Sequence, residues 1–384
     1  MVPSSKLLYV ASTIILGSSL CLSSCSNQPK NQMTKSGLNP ADFQTVIDGK
    51  ATDLYTLTNA NGMEVCVTNF GGRIVSIMTA DRNGEFRDVV LGFDNIEDYI
   101  NVPSDFGASI GRYANRIAQG QFVLNGETYK LPENNFGHCL HGGATGWQYQ
   151  VYAAEQTTPN SITLTLNSPD GDNNFPGNVQ ASVVYTLTDN NAIEIAYKAT
   201  TDKPTVINMT NHSYFNLGGD PTQCICKDSL WVKAETFTPV DSTYMTTGEI
   251  IPVAGTAFDF STTKMIGQDI NADEQQIKNG NGYDHNWVLD NNRDLTVPAV
   301  ILKSPASGIS LTVYTDEPGI QVYTGNFLDG TVTGKHDIVY NQRTGICLET
   351  QKYPDTPNKP EWPSAVLNPG ETYTSHCTFQ FCTF

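Results

Sequence analysis

Six segments of the 384-residue chain pack polar, aromatic and glycine residues more densely than ordinary turns do. They are GRYANRIAQG at 111–120, LHGGATGW at 140–147, TNHSYFNLGG at 210–219, GYDHNW at 282–287, EPGIQVYTGNFLDG at 317–330 and GICLETQKYPD at 345–355. Together they offer His141, His212 and His285 as groups that titrate near neutral pH, Asp284 and Glu349 as carboxylates, and Arg116 as a permanently charged fork. Tyr, Trp and Phe lie among them. Acid/base groups beside aromatic faces and hydroxyl-binding Asp, Asn, Gln and Arg are the requirements of carbohydrate chemistry. No glycine-rich phosphate loop and no hydrolase nucleophile elbow occurs in the sequence.

Each of these residues also has an ordinary structural use. A lone histidine in a β protein is more often a hydrogen-bonding partner than a catalyst. His138 and His141 have the proximity of a metal pair but lack a third ligand at helical spacing, so no metal site is expected. Arg116 and Asp284 could form a structural ion pair. Glu349 is harder to explain that way, because it interrupts an apolar strand and a buried carboxylate is costly unless it is paired or used.

The elements that must position these segments are strands. From Asp53 onward the apolar period is two, and β-branched, apolar or alternating runs recur at 54–57, 63–70, 161–167, 181–187, 192–200, 299–302, 310–314 and 321–324. Asn61-Gly62, Asn83-Gly84 and Asn125-Gly126 read as two-residue hairpin turns, since Asn-Gly tolerates positive φ at both positions. Helical patterning is weak and confined to 96–100 and 267–277. Many short strands separated by turn signals predict an all-β sandwich or barrel, and the length alone leaves one large β domain or two open. Loops carried by such a scaffold are where sites tend to sit.

In order and content the six segments resemble the galactose mutarotase (aldose 1-epimerase) family, over roughly Asp53 to Phe381. TNHSYFNL together with the later Asp-His-Asn and LETQ segments makes the resemblance specific. It implies a large antiparallel β supersandwich and an isomerase that interconverts the α and β anomers of free aldohexoses without metal, nucleotide or redox cofactor. Position by position it implies His212 as the acid and Glu349 as the base. Asn115, Arg116, His141, Tyr214, Asp284 and Gln321 match the positions that hold the sugar, and no motif residue is missing.

The formal charge of −17 disfavours nucleic acid and anionic surfaces, which need Lys/Arg patches, while a neutral polyol barely feels the field. It also disfavours a phosphorylated hexose. A glycoside hydrolase could use Asp284 and Glu349 as its carboxylates, but leaves His212 without a role. A sugar-binding protein without turnover would not need both acid and base.

At the N-terminus Lys6, the apolar stretch 7–20 and the small residues leading to Cys25 have the order of a secretory signal, too short and too diluted by Ser and Thr for a membrane span. Leu22-Ser23-Ser24-Cys25 resembles a bacterial lipoprotein cleavage site. The expected layout is therefore a signal segment at 1–24, an acylated Cys25, a polar tether over 25–45 and a catalytic domain over 46–384. The protein would be exported and lipid-anchored, facing the periplasm of a Gram-negative bacterium. Of nine cysteines, seven lie beyond Cys25, an odd number without a disulfide framework, and Cys224 and Cys226 read as unbridged thiols because they stand so close in sequence.

Overall fold

In a computed structural model of the protein, which describes residues 32–384, the three Asn-Gly pairs do not all build the same turn. Asn125 and Gly126 both take positive φ, 52° and 83°, and close a two-residue hairpin between Gln121–Leu124 and Glu127–Lys130. At Asn61-Gly62 and Asn83-Gly84 only the glycine is left-handed, and its amide donates to the carbonyl three residues back, that of Asn59 or Asp81. These are longer loops with glycine in the bulge position, which corrects the expectation of two-residue turns there.

The fold is all-β. A nine-stranded antiparallel sheet runs through Ala153–Thr158, Ser161–Ser168, Val179–Leu187, Ala192–Thr201, Tyr373–Thr383, Ile309–Thr315, Val300–Ser304, Ser229–Val232 and Lys264–Met265. The last long strand in sequence, Tyr373–Thr383, thus lies in its middle, paired with Ala192–Thr201 on one side and Ile309–Thr315 on the other. A six-stranded sheet follows the order Tyr214–Phe215, Ile346–Gln351, Gly319–Tyr323, Asp284–Val288, Thr236–Thr238 and Ile251–Pro252. A four-stranded meander, Leu54–Thr58 to Phe86–Asp88, completes the framework. The pattern at 96–100 is the short helix Ile96–Asn101, and the one at 267–277 divides into a 3-10 turn, Ile266–Gln268, and the short helix Gln275–Gly280. Among the described residues no helix is long and apolar enough to cross a membrane.

Alternation decides what each face carries. In Val179–Leu187 the residues Val179, Ala181, Val183, Tyr185 and Leu187 are buried while their neighbours are half-buried or exposed. The six-stranded sheet is buried on both faces but differs between them. One face sends Trp287, Ile320, Val322, Ile346 and Leu348 into the main core, each large side chain contributing roughly 1.5–3 kcal/mol by burial. The other carries Asp284, Asn286, Gln321, Tyr323, Glu349 and Gln351, a buried polar row that packing alone would not select.

Two expectations need correction. The signal segment 1–24, Cys25 and residues 26–31 lie outside the described residues, but the C-terminal part of the expected tether is not free chain. Leu38 and Phe43 are fully buried in a cluster with Tyr99 and Phe106, and the Lys35 amide donates to Glu64 Oε1 at 2.6 Å. Two apolar side chains in a polar run suffice to dock it. Cys224 and Cys226 are joined by a disulfide. The short 3-10 turn at Ile225–Lys227 bends the chain so that their Cα atoms stand 5.3 Å apart, within bridging range despite the two-residue separation.

Candidate active site

His212 ends the strand Thr210–His212, which pairs with Ala108–Ile110. Gly107 fixes this strand: its amide donates to the His212 carbonyl (3.0 Å), and its own carbonyl accepts from the Ile74 amide and from Asn211 Nδ2, both at 2.9 Å. It adopts φ +67°, and a Cβ there would sit 1.9 Å from the Ile74 carbonyl oxygen. Only glycine meets both conditions.

Glu349 lies mid-strand in Ile346–Gln351, directly opposite Gln321, which in turn stands opposite Asn286. Its Oε1 is 3.5 Å from His212 Nε2, and the two side chains are 2% and 6% exposed. The ring of His212 packs against Tyr214 (5.1 Å between centroids) and meets His141 edge-on at 5.2 Å. His141 is tied to Asn115: the Asn115 amide donates to His141 Nδ1 (3.1 Å) and the His141 amide to the Asn115 carbonyl. Asn115 Oδ1 accepts from the Arg116 amide at 2.8 Å, and both Asn115 and His141 hold left-handed backbone, φ 62° and 51°. Arg116 Nε donates to Asn135 Oδ1, and its guanidinium lies over the Tyr244 ring. Asp284 Oδ1 accepts from Gln321 Nε2 at 2.7 Å. All eight candidate residues are buried and converge in one place.

Arg116 and Asp284 do not form a direct ion pair, which leaves both with capacity for hydroxyls. Glu349 Oε2, Gln321 Oε1 and His212 Nδ1 are buried and make no hydrogen bond within the protein. Burial pushes the Glu349 carboxyl well above the usual carboxylate range, aided by the negative charges of Asp284 and Asp105 and opposed by Arg116. Burial raises Asp284 as well, against Arg116 and the Gln321 hydrogen bond. In the other direction it lowers His212, against the pull of Asp105, and pushes His141 down to about 3. Burial thus makes the ionised carboxylate a stronger proton acceptor and the imidazolium a stronger donor, while making both of those forms scarcer.

The sequence profile of the family described as aldose 1-epimerase matches residues 53–380. The chain belongs to the aldose 1-epimerase family. It is 41% identical over 319 residues to the galactose mutarotase of Mus musculus, covering 83% of this chain and 91% of that protein. Against the aldose 1-epimerase of Escherichia coli it is 39% identical over 336 residues, with 87% and 96% covered. A solved structure of an aldose epimerase homologue from C. elegans superposes with a TM-score of 0.80 at 30% identity, covering 87% of this chain and 99% of that one. The all-β architecture is thus the epimerase architecture.

Not every histidine singled out by sequence joins the epimerase site. His285 is fully buried on the opposite face of its strand, among Phe237 and Phe258, with Nε2 on Gln276 Oε1 at 3.1 Å. His138 is also structural, its Nδ1 accepting from the Gln119 amide and its Nε2 meeting Thr243 Oγ1. Two residues were missed. Tyr323 flanks Tyr214 and His212 and was accessible to reasoning, since period-two alternation puts it on the face of Gln321. A carboxylate oxygen of Asp105 lies within 4.8 Å of one ring nitrogen each of His141 and His212, and no sequence signal marks it.

Proposed function

We propose that this protein catalyses the interconversion of the α and β anomers of free aldohexoses, galactose and glucose among them, with Glu349 as base and His212 as acid. The observation that carries this assignment is the 3.5 Å imidazole–carboxylate pair, buried and ringed by hydroxyl-binding groups, in a chain of this family. Opening a pyranose hemiacetal requires removal of the C1 hydroxyl proton and delivery of a proton to the ring oxygen, so base and acid must act together. Glu349 takes the first proton and His212 gives the second. The free aldehyde turns about the C1–C2 bond and re-closes on either face, the two groups exchanging duties on the return. Arg116, Asp284, Asn115, Gln321 and His141 hold the hydroxyls, and the Tyr214 ring offers an apolar face. A glycoside hydrolase would need two carboxylates flanking the bond, whereas here the carboxylate is matched with an imidazole. Polarimetry of freshly dissolved α-glucose and α-galactose tests the assignment. Accelerated approach to the equilibrium rotation is expected, and a rate equal to that of buffer alone would refute it.

We further propose that the protein is exported and tethered by lipid at Cys25, a reading supported by the charged, apolar and small-residue order ahead of that cysteine. The Cys224–Cys226 bridge fits an oxidising compartment. Because the acyl chains supply the membrane affinity of the mature protein, Cys25→Ala is expected to leave unprocessed or untethered protein and to abolish incorporation of a fatty-acid analogue. Wild type that takes up no label would leave plain secretion as the better account.

A further inference from the structure

Asp105 takes no part in the chemistry assigned above, yet its surroundings set it apart. It stands in the loop just before Ala108–Ile110, the strand that pairs with the His212 strand. Its carboxylate and one ring nitrogen each of His141 and His212 all lie within 4.8 Å of one another. Oδ1 is buried and makes no hydrogen bond, although the residue as a whole is half-buried. The loop is held by the buried Arg73, whose guanidinium donates to the carbonyls on either side of Asp105, those of Ser104 and Phe106, both at 3.0 Å. Arg73 thereby fixes the backbone of Asp105 without forming an ion pair with its carboxylate. Among the described residues no cationic side chain pairs directly with that carboxylate; Arg73 attracts it at longer range but does not neutralise it by contact.

Three such groups also have the composition of a metal site, but the hydrogen bonding of His141 argues against one. Its Nδ1 accepts from the Asn115 amide, so in the neutral ring the proton sits on Nε2. That nitrogen is a donor, and a metal would require its lone pair.

We propose that Asp105 is a positioning residue of the epimerase reaction, its fixed carboxylate beside His212 and His141 supplying the negative charge that favours the protonated, proton-donating form of His212. The inference rests on the assignment of His212 and Glu349 as the reacting pair. The groups that face His212 are Asp105 from the preceding loop, His141, Tyr214, Tyr323 from Gly319–Tyr323, Glu349 from Ile346–Gln351 and Arg73 from the meander. Of these, Asp105 opposes the effect of burial on His212, and it also raises Glu349. Removing its charge therefore makes both members of the pair release their protons at lower pH. The window in which the pair holds one shared proton moves acidward as a whole.

The test is the pH profile of kcat/KM for α-glucose in the full-length protein and in Asp105→Asn, which keeps the side-chain shape. Both limbs are expected to shift to lower pH by on the order of one unit, so that exchange above the optimum falls about tenfold and recovers on acidification. Asp105→Glu should restore most of the wild-type profile. Thermal melting accompanies each variant, and Asp105→Ser reads the same shift if Asn proves poorly folded. An unshifted profile in a stable variant overturns the proposal, as does a raised KM with the limbs in place, which would make Asp105 a sugar ligand. Exchange that depends on added Zn2+ in wild type and not in the variant would overturn it in favour of a metal site. Absence of exchange in the wild type would instead count against the epimerase reading itself.

Discussion

Glu349→Gln is expected to leave a folded protein that still binds sugar while anomer exchange falls about 10²–10⁴-fold in kcat, the usual contribution of one general base. Gln keeps the shape and hydrogen-bonding reach of the side chain but cannot take the C1 hydroxyl proton. The stability of this variant separates catalysis from packing. In the folded protein burial lifts the Glu349 carboxyl above its unfolded value, so the native state holds that proton more tightly. Native stability contributed by this group is then full below the ordinary carboxylate range and declines as pH rises through the raised value. A neutral Gln escapes the decline, and near neutral pH the variant should melt no lower than wild type. A structural carboxylate would behave in the opposite way, with exchange preserved and melting lowered. Saturation-transfer NMR for exchange, calorimetry for sugar affinity and a thermal melt on one preparation decide between them. Near-normal exchange in a well-folded sample would pass the base role to Asp284 or a histidine.

The second large effect is on folding and sits in a glycine. Gly107→Ala should destabilise the protein by roughly 2–6 kcal/mol, combining about 1–3 kcal/mol of left-handed strain with about 1–3 kcal/mol of overpacking against the Ile74 carbonyl. Relief requires the loop to move away from the meander, and the loop's amide and carbonyl hold the His212 strand. Whatever folds should therefore also lose turnover, because His212 shifts with the strand. Circular dichroism melts and soluble yield measure the first effect, and polarimetry on the soluble fraction the second. A melt within a degree or so of wild type would show that the contact relaxes at little cost, contrary to the geometry.

Much of the fold was legible because alternation is a local property. The runs at 161–167, 181–187 and 192–200 became strands with ends displaced by no more than two residues. Glu349 stood out because a carboxylate inside Ile-Cys-Leu-Glu-Thr contradicts its apolar strand surroundings, whereas His212 lies in the polar run Thr-Asn-His-Ser-Tyr and was marked only by the family resemblance. Alternation also separates Asp284 from His285: adjacent in one strand, they face opposite sides, and only one can enter the site. Asp105 could not be found this way. It stands in an ordinary Pro-Ser-Asp-Phe-Gly turn about a hundred residues from His212, and only the pairing of two distant strands brings them together. Turn type was equally hidden at Asn61 and Asn83, because Asn-Gly serves both the two-residue hairpin and the glycine bulge, and hydrogen bonding in the flanking strands chooses between them. The docked segment around Leu38 and the Cys224–Cys226 bridge depend on a partner surface and on a local bend, neither of which composition records.

The position of Tyr373–Thr383 has a consequence for how the chain assembles during synthesis. The strands on its two flanks, Ala192–Thr201 and Ile309–Thr315, do not pair with each other, and each offers it an unsatisfied edge. A nascent chain that has not yet delivered residue 373 therefore carries two partial sheets with open hydrogen-bonding edges and exposed apolar faces, the state most exposed to misassociation and most in need of a chaperone. The pairing of Tyr373–Thr383 with Ala192–Thr201 joins strands far apart in sequence, and contact order makes such a non-local closure slow.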